Sequence, residues 1–398
     1  MSTEALRTQL ADVLPDRPFR IVLWDGTEVP STTPDGPTFT IRSPVALSHM
    51  LRAPGQLGLG RAYVTGALEV DDIDKTLALL DGFSAPPIDA KAKLRLARAA
   101  VQAGALKQVP RTPAVELRPE GRRHSIARDK RAVTYHYDVS NDFFALFLDE
   151  SMTYSCAIWS RGAKTLEEAQ YTKRDLVCTK LALKEGERVL DVGCGWGSFA
   201  VHAAEHYGVH VTGITLSGPQ AEGARKRAEA AGVADRCEFR VMDYRELPGE
   251  QFDAIASIGM VEHVGAVNID AYSRTLAGLL QPGGRLLNHG IARIRHGDPE
   301  AGPFSERYVF PDAAPLHLSR VQSSLEKCGF ETRHVEGFRM DYAQTLREWL
   351  RRLEEHHDEA VRIAGPERMR VWEVYLRGAR RGFETGFTSV YQVLADRA

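Results

Sequence analysis

With 398 residues, 43% hydrophobic and 26% charged, and a formal net charge of −2, the chain has the composition of an ordinary globular protein. Its length exceeds what a single core normally supports, so two domains are expected. The charge makes no claim about partners; no nucleic acid is expected among them. Five cysteines, Cys156, Cys178, Cys194, Cys237 and Cys328, are scattered without paired metal-ligand spacing, which points to a reducing cytoplasm and away from a disulfide scaffold or a metal site. No run of about 18 apolar residues occurs, so no spanning helix is expected. The first residues, MSTEALRTQLADVL, are polar and amphipathic, without the apolar core of a signal peptide.

In chain order, Phe19–Trp24, the pair Asp25-Gly26 and Thr38–Ile41 read as a hairpin with a long Pro30-to-Pro37 connection. Leu47–Leu51 and Ile73–Leu80 read as helices. The stretch Lys91 to Lys107, KAKLRLARAAVQAGALK, strongly favours helix and carries Lys91, Lys93, Arg95, Arg98 and Lys107, with no acid between Asp89 and Glu116. Val109 to Pro119 is punctuated by proline and reads as a linker; it runs into a second basic cluster, Arg122 to Arg131. These breaks set the expected domains: 1–115, a linker over 116–130, and 131–398.

Beyond the linker, strand and helix patterns alternate. Val189–Val192, Val209–Leu216, Cys237–Met242, Ala254–Ile258 and Arg285–Ile291 read as strands. Ser198 to Tyr207, Pro219–Ala231 and Asp270–Leu280 read as helices, the last stopped by Pro282-Gly283-Gly284. Regular alternation of this kind implies an α/β, doubly wound, mostly parallel sheet. The tail from Thr345 to Ala398 reads as helical, an outer packed layer.

The segment RVLDVGCGWGSFA places Asp191, Gly193, Gly195 and Gly197 at a strand-to-helix turn. Closely spaced glycines let backbone approach a ligand where side chains would collide, and in open α/β sheets such ligands sit beyond the carboxyl ends of the strands. The spacing D-x-G-x-G-x-G differs from the dinucleotide fingerprint G-x-G-x-x-G. Asp191 suits the ammonium of a methionine moiety, and Asp243, in Met242-Asp243-Tyr244 after the third strand, can accept from an adenine amino group. Together they favour S-adenosylmethionine over NAD. The second strand ends Thr215-Leu216-Ser217 with Gln220 one turn on, so hydroxyl, amide and backbone groups, rather than an acid, are left to hold a ribose.

A second set of residues comes from well-separated segments: TYHYDVSNDFFALFLDESMTYSCAIW, SIGMVEHVG, NHGI, RYVFPD and Asp341-Tyr342. Glu262 and His289 both follow or end strands, at the edge where a substrate meets a cofactor. Singly, each has a duller explanation: Cys156 as a small buried apolar group, His289 as a satisfied polar residue, Tyr342 as core. As a set, with LDVGCGWGSFA, GITLSGPQ, MDYRELPGEQFD and DYAQTL, they make the chain resemble the cyclopropane-fatty-acid synthase family, including the mycolic acid cyclopropane synthases, over roughly residues 130 to 350. Fainter similarity at GLGRAYVTGALEVDD extends it toward the N-terminus, as in two-domain members.

The resemblance implies a Rossmann-like class I methyltransferase fold with a seven-stranded, mostly parallel sheet and a smaller mixed N-terminal domain for lipid association or dimerisation. It assigns Tyr154, Ser155, the Gly193–Gly197 turn, Thr215, Leu216, Gln220, Asp243 and Tyr244 to S-adenosylmethionine. It assigns Cys156, Glu262, His289, Ile291 and Tyr342 to a pocket for a bicarbonate ion. One departure is His289-Gly290-Ile291, where other members have His-Thr-Ile, a change expected to alter the pocket's shape.

The implied reaction is methyl transfer to the cis double bond of an unsaturated acyl chain in a membrane phospholipid. An isolated alkene is a poor nucleophile, so the methyl must leave a sulfonium, and the resulting carbocation needs shielding from water. Tyr308, Phe310 or Trp159 could stabilise it by cation–π attraction, on the order of 0.5–2 kcal/mol each. Proton loss from the incoming carbon closes a cyclopropane; loss from a neighbouring carbon gives a methylene branch, which a separate reductase could saturate. The basic helix after Asp89 is a candidate for peripheral contact with the inner membrane face, and a homodimer is a further expectation. The rival readings are a small-molecule methyltransferase, a non-catalytic lipid binder and a dinucleotide oxidoreductase.

Overall fold

The computed structural model describes residues 3–84, 86–107, 109–118, 120–137, 140–247, 249–296 and 302–398. The chain divides into two compact units. One holds Met1–Glu116, Gly302–Val309 and Gly365–Gly378; the other holds Leu117–Ala301, Phe310–Ala364 and Ala379–Ala398. Helix Ile126–Tyr137, which begins inside the stretch read as a linker, belongs to the second unit.

The first unit is built on a four-stranded sheet of β1 (Arg20–Val22), β2 (Glu28–Val29), β3 (Thr38–Ile41) and β4 (Leu68–Val70), in the order β2-β1-β3-β4. The hairpin expected between Phe19–Trp24 and Thr38–Ile41 is instead formed by β1 and β2 around Asp25-Gly26, while β1 and β3 pair in parallel. Gly26 at φ +84° allows the tight turn, and the proline-rich segment after β2 supplies the crossover that parallel pairing needs. Leu6, Phe19, Ile21, Leu23, Val29 and Leu47 fill the core beneath the sheet. Helix Ala90–Gln102 is capped by Asp89, whose carboxylate accepts from Ala92 N at 2.6 Å. Glu116, its side chain fully buried, accepts from Arg61 Nε and Nη2 at 2.7 and 2.5 Å and from the Tyr308 hydroxyl at 2.9 Å. Paired donors of this kind are what make a buried carboxylate tolerable, and here they fasten Gly302–Val309 to this unit.

The second unit carries β5 (Arg188–Val192), β6 (His210–Thr215), β7 (Cys237–Val241), β8 (Phe252–Ile258), β9 (Leu280–Arg293), β10 (Phe330–Gly337) and β11 (Thr388–Arg397), in the order β10-β11-β9-β8-β5-β6-β7. Strands β5 to β9 are parallel, and β11 runs antiparallel between β9 and β10. The expected α/β, doubly wound, mostly parallel seven-stranded sheet is therefore present.

Two readings need correction. The tail is not helical throughout: Thr388–Arg397 is an inner strand, whose alternating TSVYQVLAD pattern follows the helix Pro366–Glu384. The expected helix does end at Leu279, ahead of Pro282-Gly283-Gly284, but that tripeptide opens no loop. It lies inside β9, at the register shift between Phe252 and Ala254 of β8, where an irregular ladder accommodates proline and Gly283 at φ +75°.

From β5 the chain builds outward through β6 and β7, then returns to β8 on the other side of β5. The order reverses at β5 and β8, and such a switch point opens a crevice at the strands' carboxyl ends. The floor behind that crevice is tight. A Cβ on Gly197 would stand 2.8 Å from Ala224 Cβ and 3.1 Å from the Phe239 ring, at a backbone φ of +78°. Gly197→Ala is therefore expected to cost about 1–3 kcal/mol of stability, read as a lower denaturant midpoint; an unchanged midpoint would contradict this packing.

Candidate active site

The crevice is a cleft of about 970 Å³ of empty space, part of it open to solvent, lined by Tyr154, Ser155, Asp191, Gly193, Gly195, Thr215, Leu216, Gln220, Asp243 and Tyr244. Every cofactor residue read from the sequence is thus on its wall except Gly197, which packs behind it. Gly193 and Cys194 both donate to Ile214 O at 3.0 Å, locking the turn against β6. Thr215 Oγ1 donates to Gln220 Oε1 at 2.8 Å, which leaves the Gln220 amide nitrogen as a donor. Asp243 is held by Arg245, whose Nε and Nη2 reach its two oxygens at 2.7 Å each; Nη2 also reaches Asp129 on the helix Ile126–Tyr137. Asp191 Oδ2 is buried without a hydrogen-bond partner, and burial lifts this carboxyl to about 7.

Glu262, His289 and Ile291 of the second set meet at the same strand edge. Glu262 stands on the short turn Val261–His263 after β8, and Ile291 N donates to its Oε1 at 2.7 Å. Ile291 therefore contributes its backbone. Glu262 Oε2 is buried with no partner, and desolvation raises the group to about 7. His289, on β9, lies opposite Gln392 of β11. Lys180 Nζ donates to Gln392 Oε1 at 2.7 Å, which fixes the amide, so Gln392 Nε2 donates to His289 Nδ1 at 3.1 Å. The imidazole proton is thereby placed on Nε2, which is buried and unpartnered. Burial pulls His289 down to about 3, so the ring is neutral. Cys156 is fully buried, its thiol pushed well up by desolvation, and Sγ donates to Ala157 O at 3.2 Å.

The helix Arg339–Glu355 carries Tyr342, whose ring packs on Phe383 at 4.5 Å. Asp341 accepts from Trp159 N and Ser160 N at 2.7 Å, and Thr345 Oγ1 accepts from Ala157 N and Trp159 Nε1 at 3.1 Å, clamping the Cys156 loop onto the helix. Trp349, one helical turn further on and fully buried, stacks on Tyr154 at 5.1 Å and meets Tyr342 edge-on at 6.2 Å. It joins the cleft-lining Tyr154 to Tyr342, yet no local motif marks it in the sequence. Met152, Thr153, Trp196, Met260 and His263 also line the cleft; they lie within the family-like strings of the sequence without an assigned role, whereas Lys173, a further lining residue, lies outside them. Trp196 explains part of the YHYDVSNDFF string: its indole donates to Asn141 Oδ1 at 2.8 Å and its ring meets Phe144 at 5.1 Å. Asp138 and Val139 of that string lie outside the described residues. Of the three aromatics proposed to face a cation, Phe310 packs on the cleft-lining His263 at 5.6 Å, Trp159 is held by the clamp, and the Tyr308 hydroxyl is spent on Glu116.

Gly290 reshapes the floor between His289 and Ile291. A Cβ there would stand 2.3 Å from Val261 Cγ1 and 3.7 Å from Glu262 Oε2, so Val261 occupies the volume that a larger residue would claim.

The mycolic acid cyclopropane synthetase family model matches residues 124–393. The chain belongs to this family of methyltransferases. It is 37% identical over 384 residues to a probable fatty acid methyltransferase of Pseudomonas putida, covering 95% of this chain and 91% of that one. It is 33% identical over 361 residues to the cyclopropane-fatty-acyl-phospholipid synthase of Escherichia coli K12, covering 90% and 87%. The mycolic acid cyclopropane synthase CmaA1, solved with SAH and CTAB, superposes with a TM-score of 0.64 at 33% identity, over 67% of this chain and 98% of that one. The larger unit accordingly has the class I methyltransferase fold.

Glu262 sets a pH signature. The folded state holds its proton up to about 7, while the unfolded chain releases it near 4.5. Unfolding therefore releases a proton between those values, and stability falls as pH rises through that window, by up to roughly 3 kcal/mol. Glu262→Gln removes the titration, so the variant should gain stability over the parent from pH 5 to pH 8 in denaturant titrations. A pH-independent difference would contradict the buried, unpaired state of Glu262.

Proposed function

We propose that this chain transfers a methyl group from S-adenosylmethionine to the cis double bond of an unsaturated acyl chain in a phospholipid and closes a cyclopropane ring, with a bicarbonate ion as the base. The observation that carries the reading is a pair of buried atoms at one strand edge, Glu262 Oε2 and His289 Nε2, neither with a protein partner. Unpartnered buried polar atoms cost on the order of 1–3 kcal/mol each, a cost that a small polar guest removes. The donor set fits an anion. His289 offers N–H, the elevated Glu262 carboxyl offers O–H below about 7, and the Cys156 thiol stays neutral, so none adds a like charge.

When bound, the nucleoside supplies an electrophilic methyl and bicarbonate supplies a proton acceptor. Tyr154, Asp191, Gln220 and Asp243 orient the first along the Gly193–Gly195 bend; Glu262, His289, Cys156 and Tyr342 orient the second. The alkene π pair forms the new carbon–carbon bond as the carbon–sulfur bond breaks, leaving a cation on the neighbouring carbon. Aromatic faces beside the cleft, such as Tyr154 stacked on Trp349 and Phe310 packed on His263, would stabilise that cation and shield it from water. A second reading, methyl transfer ending in a methylene branch, is supported by the relative named a fatty acid methyltransferase and by Gly290, which alters the floor beside Glu262. NMR and mass spectrometry of the product separate the two.

Glu262→Gln and Cys156→Ala, assayed on unsaturated phospholipid vesicles with methyl-labelled donor, are expected to lose about 10²–10⁴-fold in turnover. Full turnover in both variants would sink the base assignment.

For access to the bilayer the reading relies on the first unit. Among the described residues no helix is long and apolar enough to cross a membrane. Helix Ala90–Gln102 buries Ala99 and Ala100 and exposes Lys91, Lys93, Arg95 and Arg98 with Leu94 and Val101, the composition of a surface that lies on anionic lipid. Neutralising the four cations is expected to weaken binding to anionic vesicles, by roughly 1 kcal/mol per charge at low salt. Unchanged vesicle binding would remove this helix as the contact.

A further inference from the structure

Lys173 is a buried ionisable group to which the reaction above gives no task. It stands on the helix Leu166–Lys180, 1% exposed, and lines the cleft. Its Nζ donates to Ser155 Oγ at 2.8 Å, its single hydrogen bond among the described residues. An ammonium carries three donors, so two remain unspent. Asp191, on the same wall, has its Oδ2 unpartnered. The two charges are close enough to act on each other; Arg174, Asp149 and Cys156 act on Lys173 as well. In the free chain burial pulls the ammonium down to about 7. A cation and an anion, both desolvated and both with hydrogen-bonding capacity left over, complement a ligand that carries one of each charge.

We propose that Lys173 and Asp191 form a clamp for the zwitterionic end of the methyl donor: Lys173 Nζ holds the α-carboxylate and Asp191 the α-ammonium. Lys173 is then a residue that selects donors with an intact amino-acid end. The inference rests on the nucleoside reading of the cleft and adds the group that recognises the carboxylate.

The test is calorimetric, with three probes: S-adenosylhomocysteine, its decarboxylated analogue, which keeps the amine, and 5′-methylthioadenosine, which has neither charge. The unmodified chain should bind them in that falling order, a comparison that needs no variant. Lys173→Met should weaken S-adenosylhomocysteine on the order of tenfold to a hundredfold and leave the decarboxylated analogue unchanged. A purely structural lysine would weaken all three alike, and that result overturns the clamp. So does an unmodified chain that holds the decarboxylated analogue as tightly as S-adenosylhomocysteine. Failure of the unmodified chain to take up any of the three would overturn the nucleoside reading itself, and the clamp with it.

Discussion

The site depends on one constraint: a polar atom taken out of water must find a partner, or the fold bears the cost. In the larger unit that rule is met almost everywhere around the reaction centre. Asp341 and Thr345 absorb the backbone donors of the Cys156 loop, Arg245 satisfies both oxygens of Asp243, and Gln392 occupies His289 Nδ1. Against that background, Asp191 Oδ2, Glu262 Oε2 and His289 Nε2 are exceptions, as are Gln170 Oε1 and Trp349 Nε1 nearby; the first three belong to groups placed at the carboxyl ends of β5, β8 and β9.

Electrostatics gives the two neighbouring sites different characters. The cleft pairs an ammonium that burial pulls down to about 7, Lys173, with a carboxyl that burial lifts to about 7, Asp191, and a zwitterionic ligand would favour the charged form of both. The second set consists of groups that burial keeps neutral: a thiol pushed up, an imidazole pulled down, a carboxyl raised to about 7. A neutral, donor-rich pocket accepts a small anion without like-charge repulsion, whereas a pocket of ionised carboxylates would reject it. Trp349 stacks on Tyr154 and meets Tyr342 edge-on.

Much of this was legible in the sequence because it is carried by local pattern. The strand and helix periods of 188–258, the glycine bend and the end of β6 at Thr215-Leu216 are short-range features, and their residues reach the cleft wall. Cys156, Glu262, His289 and Tyr342 were named through family resemblance, and the geometry brings Glu262 and His289 to one strand edge. What stayed hidden depends on long-range contact. Trp349, Thr345 and Gln392 act on residues between 100 and 200 positions away in the chain, and Lys173 sits in a helix whose polar sequence resembles a solvated one. The Thr388–Arg397 strand was read as helix because it follows the long Pro366–Glu384 helix, and its insertion between β9 and β10 is decided by tertiary pairing. The β1–β2 hairpin was missed because β2 is only two residues long.

The central claim is that the neutral pocket around Glu262 and His289 holds the anion that removes the proton. The measurement that meets it most directly is methyl transfer to unsaturated phospholipid in buffer stripped of dissolved carbonate, with bicarbonate then titrated back. Turnover should collapse on removal and recover along a saturable curve. Turnover indifferent to bicarbonate throughout would contradict the account.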